Sequence, residues 1–219
     1  GTIFLQQGHN EFIEKYYETI QEFIDRGYSV ICFDWRGQGM SERMIDDINK
    51  SFINDFKRHD KDLEKILEEI IDPFFPKPLI GIGHSMGGCL MLSAFHNHPK
   101  KFDYGILSAP MLGFKNENFL RTASSLMNFF KKDTDYLIGS KPNMGIETPF
   151  EENDLTTDQD RYNRAQMLVR KMPSIRLWGV TNSFAKAVNK RFKLIRSKNW
   201  AEQIDLKILI LNSLKDRVV

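Results

Sequence analysis

A lone serine stands between glycines where an apolar run meets a helical pattern, in the stretch GIGHSMGGCL at residues 81–90. The apolar run at 78–82 is typical of a short buried strand, and residues 87–95 have the apolar spacing of a helix with a small-residue first turn. Strand, G-x-S-x-G and helix is the arrangement of a nucleophile elbow, a tight turn that exposes the serine hydroxyl. The stretch therefore predicts that Ser85 is a catalytic nucleophile rather than an ordinary turn residue.

Strands alternate with helices along the first half of the chain. This alternation favours βαβ crossovers and hence an α/β fold, a mostly parallel sheet flanked by helices. The two longest amphipathic patterns predict helices over 12–26 and 54–71. Strands are predicted at 2–6, 28–33, 79–82, 104–108 and 206–211.

About 95 residues of helical and loop-rich pattern separate the last two predicted strands, a length that is usually functional when it is ordered. We interpret this stretch as a helical cap inserted into the sheet-forming core. The expected division is a core with the elbow at 1–110, the cap insertion at 111–203, and a return to the core at 204–219. Because the chain begins and ends beside predicted strands, we expect the natural protein to extend past both ends.

The charge balance argues against a nucleic-acid partner. There are 31 Lys and Arg against 29 Asp and Glu, a net charge of +2, which produces no bulk attraction to polyanions. No apolar run approaches the roughly 18 residues of a spanning helix, and no signal peptide is visible. Cys32 and Cys89 fall in predicted buried elements, and no Cys/His cluster has metal-ligand spacing. We expect no metal, no cofactor and a cytoplasmic location.

A serine nucleophile needs a histidine to accept its proton, an acid to orient that histidine, and donors for the oxyanion. In an elbow the N–H after the serine supplies one donor, here Met86, and the loop after an earlier strand supplies another, here His9. Asp216 is the candidate acid because it follows an apolar strand and lies C-terminal to Ser85 in the usual chain order.

The general base is harder to assign, because all five histidines precede Asp216. His84 adjoins the nucleophile along the strand, so its side chain is expected on the opposite face. The simplest explanation is a base encoded beyond Val219. The alternative, in which the His9 side chain is the base, runs against the usual chain order.

A glycine-rich stretch follows the second predicted strand, at residues 34–39. It matches neither a dinucleotide-binding fingerprint nor a phosphate-binding loop. We interpret it as a tight turn with Asp34 and Arg36 in a local polar network, with nucleotide binding as the less favoured alternative.

Four stretches together resemble the α/β-hydrolase superfamily, in its branch of bacterial lysophospholipases and monoglyceride lipases, which is also labelled serine aminopeptidase-like. The resemblance implies Ser85 as nucleophile, Asp216 as triad acid, and a triad histidine a few tens of residues later. The branch often has His where this chain has Gln7, and its Gly-Gly-Pro-Thr run is replaced by residues 178–181. The matching stretches are FDWRGQGMSER, GHSMGG, NDLTTDQDRY and LNSLKDRVV.

These features predict a serine hydrolase of carboxylic esters that acts on lysophospholipids or monoacylglycerols. Open alternatives are a peptidase, thioesterase or acyltransferase with the same triad, or a non-catalytic hydrolase-like protein. A basic run at 186–198 fits either a solvated face or attraction to anionic lipid head groups. The expected partner is a lipid ester or another small acyl ester, with peripheral contact with the inner membrane as a further hypothesis.

Overall fold

The computed structural model describes residues 1–114, 122, 132–137, 142 and 148–214. Its main sheet has five parallel strands in the order β2-β1-β4-β5-β7. The α/β prediction is confirmed, and each of the five predicted strands is present, two of them shorter than predicted at one or both ends. The strands are β1 (Thr2–Gln6), β2 (Ser29–Ile31), β4 (Leu79–His84), β5 (Tyr104–Ser108) and β7 (Ile208–Leu211).

The helices lie between these strands as the alternation predicted. The helix predicted over 12–26 begins with a 3₁₀ turn at Ile13–Tyr16, and the one predicted over 54–71 ends in a π-helical turn at Leu67–Ile71. None of the helices within the described ranges is both long and apolar enough to cross a membrane. They are α1 (Tyr17–Asp25), α2 (Lys57–Ile66), α3 (Asp72–Phe74), α4 (Met86–Asn97), α5 (Gln159–Lys171) and α6 (Asn182–Ile195).

A second, two-stranded sheet was not predicted. It pairs β3 (Lys50–Ser51) with β6 (Gly179–Val180) in parallel. Strands of two residues are too short to show alternation, so periodicity could not reveal them. This small sheet joins the loop after β2 to the segment between β5 and β7, which we call the insert (residues 109–207).

The last helix of the insert packs into the main core. Phe184, Val188 and Phe192 of α6 are buried in the same cluster as Leu90 and Met91 of α4. This part of the insert thus shares one hydrophobic core with the sheet and its helices. The domain boundaries given above stay a prediction.

A buried ion pair reinforces the contact of α6 with the core. Arg191 is 4% exposed. Its guanidinium lies 2.6 Å from the Asp60 carboxylate of α2 and also donates to the Ser93 hydroxyl of α4. A charge held out of water needs such partners. The basic run predicted at 186–198 is thus only partly a solvated face.

Candidate active site

Ser85 occupies the tight turn between β4 and α4, in a backbone conformation that non-glycine residues rarely adopt. Its φ of 49° and ψ of −116° fall outside the favoured regions, which costs roughly 1–3 kcal/mol. Surrounding hydrogen bonds hold it there: its N–H donates to the Ser108 carbonyl, and its own carbonyl accepts from Cys89 and Met111. The predicted strand, turn and helix are present, with the strained residue at the predicted nucleophile.

Glycines on both sides of the serine permit this turn, because neighbouring backbone atoms occupy the positions that a Cβ atom would need. A Cβ at Gly83 would lie 2.7 Å from the Gly87 carbonyl oxygen, and one at Gly87 would lie 2.5 Å from the carbonyl oxygens of Gln6 and Gln7. The first turn of α4 can therefore rest directly on the carboxyl end of β1.

The loop after β1 lies beside the nucleophile. A Cβ built at Gly8 would lie 3.2 Å from the Ser85 Cβ. The Gly8 N–H donates to the Glu11 carboxylate at 2.7 Å, and the Asn10 N–H donates to the Gln38 side chain at 2.7 Å. Between these two, the His9 N–H has no acceptor among the described residues. The predicted loop donor is therefore the one backbone N–H of these three that stays available.

The predicted second donor is at the start of α4. Met86 is the first residue of that helix, where backbone N–H groups have no acceptor within the helix. Met86 directly follows Ser85, and the loop carrying His9 passes beside Ser85. The assignment of these two N–H groups to an oxyanion hole remains a prediction.

The side chain of His9 contacts residues of two other segments, Ser51 and Phe184. Its Nε2 lies 2.7 Å from the Ser51 hydroxyl, and its ring centroid is 4.6 Å from that of Phe184. Burial lowers the pKa of His9 to about 4, and the nearby Glu11 charge opposes this only in part. The ring is therefore a weak base, and it is engaged with Ser51 and with Phe184 of the insert, which favours the backbone role over the side-chain base.

Gln7 stands where the branch that this chain resembles often has a histidine, and its side chain holds the loop by hydrogen bonds. Its Nε2 donates to the Phe33 carbonyl at 2.8 Å and to Asp34 Oδ1 at 3.0 Å. Asp34 also accepts the N–H groups of Ile13 and Met40. The glycine-rich stretch is thus a turn organised by Asp34, which anchors the loop carrying His9.

The prediction that Arg36 shares this network is wrong. Its guanidinium pairs with the Asp62 carboxylate of α2 instead. Side chains of residues two apart in a turn need not meet, and α2 brings the Asp62 carboxylate within hydrogen-bond distance of the guanidinium.

A buried carboxylate, Glu11, lies behind the loop and was not identified from the sequence. One of its oxygens accepts from the Gly8 N–H, from the Tyr16 hydroxyl at 2.6 Å and from His84 Nδ1 at 2.9 Å. Lys15 pairs with the other oxygen. The Gly8, Lys15 and Tyr16 contacts are local, since these residues lie within five positions of Glu11. The His84 contact depends on how β4 packs against the loop.

All five histidines are described, and none hydrogen-bonds to the Ser85 hydroxyl. His9 contacts Ser51, His84 contacts Glu11, and His59 is buried against the rings of Trp35 and Phe56. His96 stacks on Trp200, and His98 follows the last residue of α4. The assignment of the base stays a prediction. The predicted acid, Asp216, lies outside the described residues.

The described residues contain no group of three or more His, Cys, Asp or Glu side chains that could hold a metal ion. Cys32 and Cys89 are free, and burial raises the pKa of Cys32 to about 11 and that of Cys89 to about 12. Neither thiol is activated as a nucleophile, because the reactive form is the thiolate. Ser85 therefore remains the nucleophile candidate of this site.

Comparison with known proteins extends over the whole chain. The family model described as "Serine aminopeptidase, S33" matches residues 1–219. The chain is 28% identical to the probable lysophospholipase L2 of Haemophilus influenzae, over 98% of this chain and 67% of that protein. It is also 28% identical to lysophospholipase L2 of Escherichia coli K12, over 80% of this chain and 52% of that protein. The chain thus spans two thirds of one of these relatives and about half of the other.

A solved structure shows the same architecture. A soluble variant of monoglyceride lipase from Saccharomyces cerevisiae, in complex with a substrate analogue, superposes with a TM-score of 0.70 at 21% identity. The match covers all of this chain and 69% of the yeast chain. The fold is therefore the α/β-hydrolase fold, as the resemblance implied.

Proposed function

This chain belongs to the serine aminopeptidase S33 family of hydrolases, and we propose that it hydrolyses carboxylic esters through an acyl-enzyme on Ser85. The observation that carries the proposal is the strained turn at Ser85 beside a loop whose His9 N–H has no acceptor within the described ranges. A nucleophile beside two backbone N–H groups, those of His9 and Met86, fits acyl transfer, since such donors stabilise the charge that develops on the carbonyl oxygen.

The proposed reaction has two halves. Ser85 Oγ attacks the ester carbonyl carbon while a base takes the hydroxyl proton, and the carbonyl oxygen becomes an oxyanion held by the His9 and Met86 N–H groups. The tetrahedral intermediate then collapses, and the alcohol leaves with the proton from the base. Water attacks the acyl-enzyme in the same way, which releases the carboxylic acid and restores Ser85.

The base in this proposal is an imidazole that the 219 residues do not contain, oriented by Asp216. The support is the position of the five histidines, each engaged or located away from Ser85. Preorganised backbone donors would remain useful whatever the base, because they act on the substrate oxygen and not on the serine proton.

The proposed substrates are lysophospholipids or monoacylglycerols. The named relatives are lysophospholipases and a monoglyceride lipase, and esters of both kinds present one acyl carbonyl next to a polar head. A peptidase is the main rival. Rates on lysophosphatidylcholine, a monoacylglycerol and an aminoacyl anilide decide between them, and preferential cleavage of the anilide would favour the peptidase.

A cytoplasmic location with peripheral contact with the inner membrane is also part of the proposal. Lys186, Lys193 and Lys198 are exposed on α6 and just after it, and exposed cations near a bilayer are attracted to anionic lipids. Lys190 on the same helix lies 2.6 Å from Asp55, so it contributes less free charge. Co-sedimentation with vesicles with and without phosphatidylglycerol tests this contact.

The experiment that tests the catalytic proposal compares two serine variants of the natural protein that contains this chain. Ser85→Ala should lower ester turnover by roughly 10⁶, because a triad acts as a unit, and should abolish labelling by a fluorophosphonate. Ser197→Ala changes an exposed serine whose hydroxyl donates to the nearby Leu194 carbonyl; it is the matched control and should change neither. Retained labelling in Ser85→Ala would overturn the assignment.

A further inference from the structure

Asn10 connects the loop beside the nucleophile to the insert. Its side-chain Nδ2 donates to the Leu177 carbonyl at 2.9 Å, and its Oδ1 accepts from the Leu177 N–H at 2.7 Å. The two residues are 167 positions apart, and Leu177 is 1% exposed. The amide of Asn10 therefore pairs with both backbone groups of one buried residue.

The backbone conformation of position 10 partly explains why an asparagine occurs there. Its φ of 56° lies in the left-handed region, which asparagine tolerates better than most residues and glycine adopts without strain. A glycine would satisfy the backbone alone. The two-point pairing with Leu177 is what the asparagine side chain adds.

Leu177 belongs to a part of the insert that is fixed to the rest of the protein by strand pairing and by a buried ion pair. It lies two residues before β6, which pairs with β3, and β6 leads into α6, whose Arg191 is buried against Asp60. The neighbouring His9 side chain contacts the same region through Ser51 and Phe184. The loop thus lies between Ser85 on one side and the insert on the other.

The backbone donors of the loop depend on this connection. The Asn10 N–H is already held by Gln38 and the Gly8 N–H by Glu11, so the peptide that carries the His9 N–H is fixed at both ends. Asn10 fixes the outer end to the insert as well. A shift of about 1 Å in a catalytic group can lower a rate by up to about 10²-fold, so small movements of this loop matter.

We propose that Asn10 is a positioning residue that holds the His9 N–H toward Ser85 by fixing the loop to Leu177 of the insert. Docking of the insert and completion of the oxyanion hole are then one event. This inference rests on the proposed function, and it adds to it the residue through which the insert controls the catalytic donors.

The test exploits a second asparagine with the same backbone conformation. Asn199 has a φ of 61°, is exposed, and lies in the loop after α6. Asn10→Gly removes the pairing with Leu177 and keeps a residue suited to positive φ, whereas Asn199→Gly makes the same change away from Ser85. Both variants are made in the natural protein and assayed well below their melting temperatures.

Asn10→Gly should lower kcat on a monoacylglycerol by roughly 10- to 100-fold with KM changed less than about twofold, and should weaken inhibition by an alkyl boronic acid in parallel. Asn199→Gly should leave all three unchanged. An unchanged kcat in Asn10→Gly, or a change in KM alone, would overturn the proposal, because a donor-positioning role acts on the transition state.

Hydrogen exchange gives a readout that does not depend on turnover. The Leu177 N–H should exchange faster in Asn10→Gly than in the wild type or in Asn199→Gly, together with the amides of residues 8–10. Unchanged exchange would show that Asn10 does not fix the loop to the insert. A wild-type protein without ester turnover would instead overturn the proposed function, and the exchange result would still decide the link between loop and insert.

Discussion

Glu11 Oε2 lies 2.9 Å from His84 Nδ1, although the two residues are 73 positions apart in the chain. The contact places a buried carboxylate directly behind the residue that precedes the nucleophile. Burial by itself would raise the pKa of Glu11, but Lys15 and His84 outweigh it and hold that pKa well below its usual range. The carboxylate is therefore ionised near neutral pH and can accept the Gly8 N–H at full strength.

The first prediction concerns this carboxylate. Glu11→Gln should destabilise the protein by about 2 kcal/mol at pH 7, since hydrogen bonds to a charged group are replaced by weaker neutral ones. A group whose pKa is lowered by folding stabilises above its unfolded pKa, so the difference from wild type should shrink as the pH falls below about 4.5. Urea unfolding at pH 7 and pH 3 measures it. Exposed Glu22→Gln is the control, and an equal loss in both variants would contradict the prediction.

The second prediction concerns His59, which is buried between Trp35 and Phe56. Burial lowers its pKa to about 4 from 6.5. The unfolded chain therefore binds more protons between these values, so stability is complete above pH 6.5 and is lost as the pH falls toward 4. At pH 5 this one group should lower the unfolding free energy by about 2 kcal/mol.

His59→Leu should remove this part of the pH dependence, whereas His98→Gln should retain it. The remaining slope in His59→Leu is expected from His9, whose pKa is also about 4. Urea unfolding at pH 7 and pH 5 provides the comparison. A wild-type protein equally stable at both pH values would show that these rings are not held neutral by folding.

The third prediction compares two glycines with positive φ. At Gly39, with φ of 51°, a Cβ would lie 2.2 Å from the Asp34 carboxylate, whereas at Gly27, with φ of 82°, nothing lies within 4 Å. Gly27→Ala should lose about 1 kcal/mol for the backbone conformation. Gly39→Ala should lose about 3 kcal/mol, since overpacking adds to the same conformational term.

Ester turnover should separate these glycine variants further. Displacing Asp34 disturbs its hydrogen bond with Gln7 and hence the loop that carries His9, so Gly39→Ala should lose activity and Gly27→Ala should keep it. Urea midpoints and initial rates at one temperature measure both effects. Similar behaviour of the two variants would contradict the role given to Asp34.

The fourth prediction concerns two neighbouring ion pairs between α6 and residues 55–60. Arg191→Met leaves the Asp60 carboxylate without its buried partner and should cost about 3 kcal/mol. Lys190→Met removes the more exposed pair with Asp55 and should cost less than about 1 kcal/mol. Thermal and urea unfolding of both variants give the ranking. A larger loss for Lys190→Met would mean that α6 is held by surface charge rather than by its buried face.

Much of the framework could be predicted from local patterns. The strands Thr2–Gln6 and Tyr104–Ser108 were predicted to the residue, and the turn at Ser85 was predicted from the glycines around it. These features depend on neighbours a few positions away, because side-chain periodicity and backbone preference act over that range. The parallel sheet then followed from the alternation of strands and helices.

The contacts around the nucleophile could not be predicted in this way. Gln7 with Asp34, Glu11 with His84 and Asn10 with Leu177 are pairs separated by 27, 73 and 167 residues. No local pattern marks them, since each depends on how whole elements pack and on which polar group is then left buried without a partner. Local sequence patterns alone were thus enough to predict the α/β fold and to select Ser85 as the candidate nucleophile. Tertiary packing decided which backbone N–H groups beside Ser85 donate to a side chain of the protein, as those of Gly8 and Asn10 do. A buried N–H can bind a substrate oxygen only where no such side chain accepts its hydrogen bond.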